Sequence, residues 1–265
     1  MPDIFIIKLI LSFIVGVVWI TCVTVFAEKF GSRVGGAVAG IPATMVTNLF
    51  FIGWTQSVDV AAQSTTAIPI ILGVNCLFVI TYIIFSKLKL FWGLLFAFLV
   101  WFVLSSVVLL SSVNNYFVSL CIYFILVIIS YYFLEKRLKI DSHNKIKIRY
   151  TINQIVWRGF ISGLFVAFTI LMTKFGGYRI GGIFATFPVL TVVIIIIIHI
   201  NHGRDFTISF LKNFIISGTL NVLIFVTSVR YLYVYLGLIS GTIVSFIISL
   251  LTAYLTYNYI NKRML

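Results

Sequence analysis

One twelve-residue segment occurs twice in this chain. Residues 31–42 read Gly31-Ser32-Arg33-Val34-Gly35-Gly36-Ala37-Val38-Ala39-Gly40-Ile41-Pro42, and residues 177–188 read Gly177-Tyr178-Arg179-Ile180-Gly181-Gly182-Ile183-Phe184-Ala185-Thr186-Phe187-Pro188. The glycines at the first, fifth and sixth places, the arginine, the second alanine and the proline coincide, each pair 146 residues apart. The same offset carries Asp59 onto Asp205 and Asn75 onto Asn221 without a gap. Two of the four prolines in the chain belong to this pair. The chain is therefore expected to be two related units, each built around its own copy.

Composition places both units in a membrane. Hydrophobic residues make up 62% of the 265 and charged residues 9%, a balance foreign to soluble globular domains. The apolar stretches run for about 20 residues, enough for a helix to cross the hydrocarbon core. They are unbroken rather than alternating, which points to helices and away from a β-barrel. The expected fold class is an all-α polytopic membrane protein. Its nine spans are read at 4–26, 34–54, 64–86, 90–111, 116–134, 155–173, 180–200, 208–229 and 232–257. No cleavable signal peptide is evident, because Asp3 precedes Lys8 and there is no basic leader.

The net charge of +13 is distributed as a topology signal rather than as a nucleic-acid surface. With the N-terminus outside, thirteen Lys and Arg residues fall at cytoplasmic ends, many in the run 136–149, and only Lys174, Arg179 and Arg230 fall outside. The run 136–149 lacks interleaved aromatics, so its expected partner is anionic lipid and not nucleic acid. The expected location is the inner membrane, multi-pass, with the N-terminus outside and the C-terminus cytoplasmic.

The spans divide into residues 1–111 as a first four-helix repeat, 112–150 as a connecting helix with its basic loop, and 151–265 as a second four-helix repeat. Moving span 1 onto span 6 crosses an odd number of helices, so the second repeat is expected to be inverted relative to the first, as in many secondary transporters. Gly35-Gly36 and Gly181-Gly182 would let another backbone approach closely. Pro42 and Pro188 would kink the second helix of each repeat, which is how a polar cavity forms at depth.

The candidate substrate-binding set is Arg33, Gly35, Gly36, Pro42, Thr44, Asn75, Arg179, Gly181, Gly182, Pro188 and Asn221. Arg33 and Arg179 open helices whose dipoles favour an anion, against the alternative of snorkelling interface arginines. Asn75 and Asn221 are the most central polar residues of their helices, and either line a cavity or clamp helices together. Thr44, Thr47 and Asn48 make the first copy of the kinked helix more polar than the second. Across an inverted repeat Arg33 would face Asp205, and Arg179 would face Asp59, as gating ion pairs; the competing reading is solvated aspartates at helix ends.

Other chemistry finds little support. His199, His202 and Asp205 have one-face spacing for a metal, but the first copy has Gly53, Gln56 and Asp59 there, so loop histidines are expected. Cys22, Cys76 and Cys121 read as apolar packers. There is no Walker loop, catalytic triad or paired catalytic carboxylate, and no acid lies mid-span, so no enzyme and no cofactor is expected.

The second unit carries Tyr178, Gly181-Gly182, Phe187-Pro188, Gly203 and Gly218 ahead of an aromatic-rich last helix. In this it resembles the GlpM-like small membrane proteins, chains of about half this length with four helices. The resemblance covers most of residues 155–257 and implies two such units fused through an extra helix. It also implies a link to exopolysaccharide production, with no catalytic residue to carry over. The expected function is a secondary transporter of a small anionic or neutral substrate. The alternatives are an accessory protein of envelope polysaccharide production and a passive channel or scramblase.

Overall fold

The computed structural model describes residues 2–29, 42–111, 113–137 and 151–263, and the regular elements among them are all helical. They are α1 (Pro2–Lys29), α2 (Ala43–Thr55), α3 (Val58–Ser64), α4 (Ile68–Phe85), α5 (Leu90–Leu110), α6 (Tyr116–Tyr132), α7 (Ile152–Ala185) and α8 (Val189–Arg263). A π-helical turn, Phe133–Arg137, continues α6.

Helices α7 and α8 are interrupted at glycines. Gly177, Gly203 and Gly237 have φ of 76°, 79° and 74° with ψ near 180°. This region is open to glycine and strained for any residue with a Cβ. The chain is thereby cut into segments 152–176, 178–185, 189–202, 204–236 and 238–263. It doubles back at Gly177, where Thr169 reaches the Phe184 carbonyl, and at Gly237, where the Tyr233 hydroxyl meets that of Thr242.

The second helix of the second unit departs from its expected form. Instead of one kinked span over 180–200, the helix stops at Ala185 and restarts at Val189. Pro188 has no N–H to continue the ladder, and its ring opposes the preceding turn. The Thr186 hydroxyl bonds back to the carbonyls of Gly182 and Ile183, which closes the first segment. Pro42 and Pro188 both stand at the start of the next helix: their carbonyls accept from Val46 at 2.8 Å and from Val192 at 2.9 Å. A residue without an N–H is least costly there.

Burial separates helices of equal hydrophobicity. Among the described residues six stretches are long and apolar enough to cross a membrane. Among them α4 is buried along nearly its whole length, with Ile68, Ile71, Cys76, Phe78 and Tyr82 fully enclosed. Helices α1 and α5 instead turn Ile4, Ile7, Val18, Phe91, Val103 and Leu110 outward. In water each such side chain would forgo about 1.5–3 kcal/mol of burial; against lipid it forgoes little. The surface is that of a membrane-embedded protein built around α4.

The first helices of the two units pack directly on each other. Phe5 meets Lys174, Phe13 meets Phe160, Gly16 meets Gly163, and Thr21 meets Gly159. Rising numbers on α1 meet falling numbers on 152–176, so the two run antiparallel. The closest approach uses Gly16 against the Gly159-x-x-x-Gly163 face, where small residues let backbones touch. The connecting helix α6 packs against α4 and also reaches segment 204–236, through Tyr116 to Thr227 at 2.7 Å and Tyr123 to Thr219 at 3.1 Å.

Candidate functional site: the interrupted helix at Ala185–Pro188

Segment 178–185 holds eight residues and therefore rises about 12 Å, roughly two-fifths of a 30 Å hydrocarbon core. The break that follows lies near mid-depth of the helix pair. Its freed carbonyls must find donors inside the protein, since an unsatisfied one in lipid costs several kcal/mol.

The donors come largely from the first unit. Thr169 Oγ1 donates to the Phe184 carbonyl at 3.3 Å. Asn48 Nδ2 donates to Ala185 at 2.9 Å, and Asn75 Nδ2 donates to Thr186 at 2.9 Å. Asn75 is itself held, because Trp101 Nε1 donates to its Oδ1 at 2.8 Å. Helices α2, α4 and α5 of one unit thus brace the broken helix of the other. The Phe187 ring fills the step: it stacks on Phe98 and Phe165, with centroids 5.7 and 4.7 Å away, and meets Trp101 edge-on at 4.9 Å. Just before the break, Gly182 lies against the Ser64 carbonyl so closely that a methyl group would overlap it. Gly181 faces Thr173 of its own unit.

A second interruption, between α3 and α4, is braced in the opposite direction. Arg230 of the second unit donates to Thr65 Oγ1 at 3.2 Å and Thr66 Oγ1 at 2.9 Å, and its guanidinium lies 4.6 Å from the Tyr116 ring. Sequence reading counted Arg230 only as a topology charge. No local sequence signal marks Trp101 or Thr169, and Phe187 stands out there only as part of the resemblance motif. Asn48 was noted for polarity alone.

The remaining candidates are scattered. Arg33, Gly35 and Gly36 lie outside the described residues, and with them the Arg33–Asp205 pair. Pro42 is buried and Thr44 half-buried at the start of α2. Arg179 donates to Asn114 Oδ1 at an exposed position. Asp59 is exposed in the first turn of α3, a helix capped by Ser57. Asp205, with its side chain 94% exposed, pairs with its neighbour Arg204 at 3.2 Å. Asn221 is buried, Ser249 donates to its backbone carbonyl at 3.4 Å, and its side-chain Oδ1 has no partner among the described residues. The histidines separate: His199 meets the Tyr82 hydroxyl at 2.6 Å, while His202 packs on Phe206. Among the described residues no cluster of His, Cys, Asp and Glu could hold a metal. The three cysteines are free thiols, and Cys76 contacts the Leu72 carbonyl at 3.4 Å.

No curated protein and no solved structure matches this sequence. A family model does match, twice, over residues 9–115 and 155–262. The second match starts 146 residues after the first, the offset of the doubled motif. Together the two matches cover most of the chain, which therefore belongs to the protein-of-unknown-function family DUF3147, as two tandem copies.

Proposed function

We propose that this protein is a secondary transporter of a small anionic or neutral solute, in which two inverted four-helix units rock against each other. In this reading nine helices cross the inner membrane, with the N-terminus outside. The antiparallel packing of α1 on segment 152–176 supports inversion, because these are equivalent helices of the two copies. The observation that carries the reading is the helix broken near mid-depth, whose carbonyls are held by Asn48 and Asn75 across the unit boundary. Interrupted helices at a repeat interface are how carriers place polar backbone at mid-membrane. Hydrogen bonds across a boundary can also be exchanged when the boundary moves, whereas those within a helix cannot. Arg179, now on Asn114, would meet Asp59 in the opposite state, and Arg33 would meet Asp205 on the other face.

Single cysteines at Thr44 and Asn221, in a background lacking the three native thiols, test this. Each should react with a membrane-impermeant maleimide from one side in one state and from the other side in the alternate state. Absence of labelling at both positions from both sides would remove the carrier reading. The charge swap Arg179→Asp with Asp59→Arg should restore alternation that either single change loses.

One observation favours a second reading. Phe98, Trp101, Phe165 and Phe187 fill the space beside the break, as expected of a rigid scaffold, and the GlpM-like resemblance points to envelope polysaccharide production. A scaffold would leave Thr44 and Asn221 unlabelled.

A further inference from the structure

Beside the broken helix is a second contact between the units, and its chemistry is of another kind. His199, half-buried on segment 189–202, brings Nδ1 to 2.6 Å from the Tyr82 hydroxyl on α4. The two rings meet edge-on, with centroids 6.3 Å apart at 75°. Tyr82 is fully buried. One turn further on, Arg204 donates through Nε to Ser86 Oγ at 3.1 Å and through Nη2 to the Ile83 carbonyl at 3.3 Å. Three residues of the first unit's central helix and its cap, Tyr82, Ile83 and Ser86, are thus gripped by two cationic or ionisable side chains of the second unit. Among the described residues, Tyr82 and Arg204 are the titratable and charged groups that act on His199, and Asp205 is exposed and pairs with Arg204.

The doubled architecture does not repeat this arrangement. The positions equivalent to His199 and Arg204 in the first unit are Gly53 and Val58, and the position equivalent to Tyr82 in the second unit is Ser228. Among the described residues this His–Tyr contact has no counterpart in the other unit's equivalent place, and charge distribution assigns its face to the cytoplasm. A device that responds to protons on one side alone can give direction to an otherwise symmetric machine.

We propose that His199 is a proton-binding site that couples the cytoplasmic contact between the two units to proton concentration; this rests on the carrier reading and names the coupling ion. Histidine is the side chain whose ordinary protonation falls between about pH 5 and 8. In the neutral tautomer with the proton on Nε2, the bare Nδ1 accepts from the Tyr82 hydroxyl. A proton from the cytoplasm that adds to Nδ1 removes that acceptor. The bond reverses, Nδ1–H now donating to the Tyr82 oxygen; the buried Tyr82 hydroxyl hydrogen loses its acceptor, and the new imidazolium faces Arg204. An orphaned buried donor and two like charges at close range both oppose the closed contact. Separation of segment 189–202 from α4 relieves both, so protonation shifts the population toward the state open at this face. Deprotonation restores the acceptor and recloses it.

Spin labels placed on both units read this without a known solute. In full-length protein in lipid nanodiscs, labels at Leu88→Cys and His202→Cys, both exposed and outside the contact, report the distance across the cytoplasmic face by pulsed electron resonance. Lowering the pH from about 8 to about 5.5 should raise the longer-distance population at least about threefold. His199→Gln, which keeps an acceptor for Tyr82, should hold the distribution at its high-pH form throughout. Tyr82→Phe should favour the longer distance at both pH values. A distribution that ignores pH in the otherwise native protein, or a pH response that survives His199→Gln, overturns the assignment. Should His199→Gln fail to fold, nitrogen-15 titration of the otherwise native chain remains. The His199 resonance must then follow the same midpoint as the distance change, and a mismatch overturns the assignment. The two readings fail separately. Thr44 labelled from both sides without a pH response leaves a carrier driven by something else. A pH response without labelling at Thr44 or Asn221 leaves a proton-sensitive contact in a protein that carries nothing.

Discussion

Asn75 and Asn221 stand at the same place in the two copies, yet their surroundings have diverged. Asn75 uses both ends of its carboxamide, donating to Thr186 and accepting from Trp101. Asn221 is more deeply enclosed than the half-buried Asn75, but its Oδ1 has no partner among the described residues, and the position equivalent to Trp101 is Ile247. The box around Phe187 has diverged likewise: Phe98 and Phe102 correspond to Val244 and Ile248. The two copies share a frame but not its contacts. Aromatic and carboxamide contacts lock the broken helix of the second unit, while Asn221 of that unit keeps a side-chain oxygen with no partner among the described residues.

The comparison can be broken most decisively at Gly182. Its backbone lies on the Ser64 carbonyl, and a carbonyl in a helix end cannot swing aside. Gly182→Val should destabilise the protein by about 3 kcal/mol or more, read as a lowered midpoint of thermal aggregation in detergent. Gly181→Ala, which meets only the Thr173 side chain, should cost clearly less. A smaller effect follows from the asparagines. Asn75→Leu orphans the Thr186 carbonyl and the Trp101 N–H and should cost about 2–3 kcal/mol. Asn221→Leu should stay within about 0.5 kcal/mol in the same melt. Equal losses at the two positions would mean that the units are braced alike. Next in size, Phe187→Leu should lose about 1–2 kcal/mol by thinning the ring stack, with an increase in hydrogen exchange at Ala185–Phe187. The smallest change is Trp101→Phe, which keeps a ring in the box and removes one donor. It should cost about 1 kcal/mol and leave exchange at Ile183 unchanged.

How far these contacts could be foreseen varies from residue to residue. The turn at Gly177 was legible, because a repeated glycine ahead of an apolar run has few other uses. Pro188 announced an irregularity but not its extent. A proline alone kinks a helix; the complete break also needs Thr186 folding back on Gly182 and two carboxamides arriving from another unit. Those arrive from 137 and 111 residues away along the chain, and no local pattern encodes such a meeting. His199 and His202 looked like one motif because helical spacing puts them on one face. The turn at Gly203 and the approach of Tyr82 gave them different neighbours. Arg230 read as a topology charge because its partners Thr65 and Thr66 belong to another unit.

By itself the sequence determined that the chain is helical and membrane-embedded, that it is doubled at an offset of 146, and that each copy carries the same Gly and Pro positions. These follow from composition, period and backbone stereochemistry, which act over a few residues at a time. Tertiary structure alone decided which asparagine is satisfied, which arginine caps which break, and which histidine meets a tyrosine. Those outcomes depend on donors and acceptors brought together by packing two units against each other, and in a membrane the need to satisfy every buried polar group makes that packing decisive.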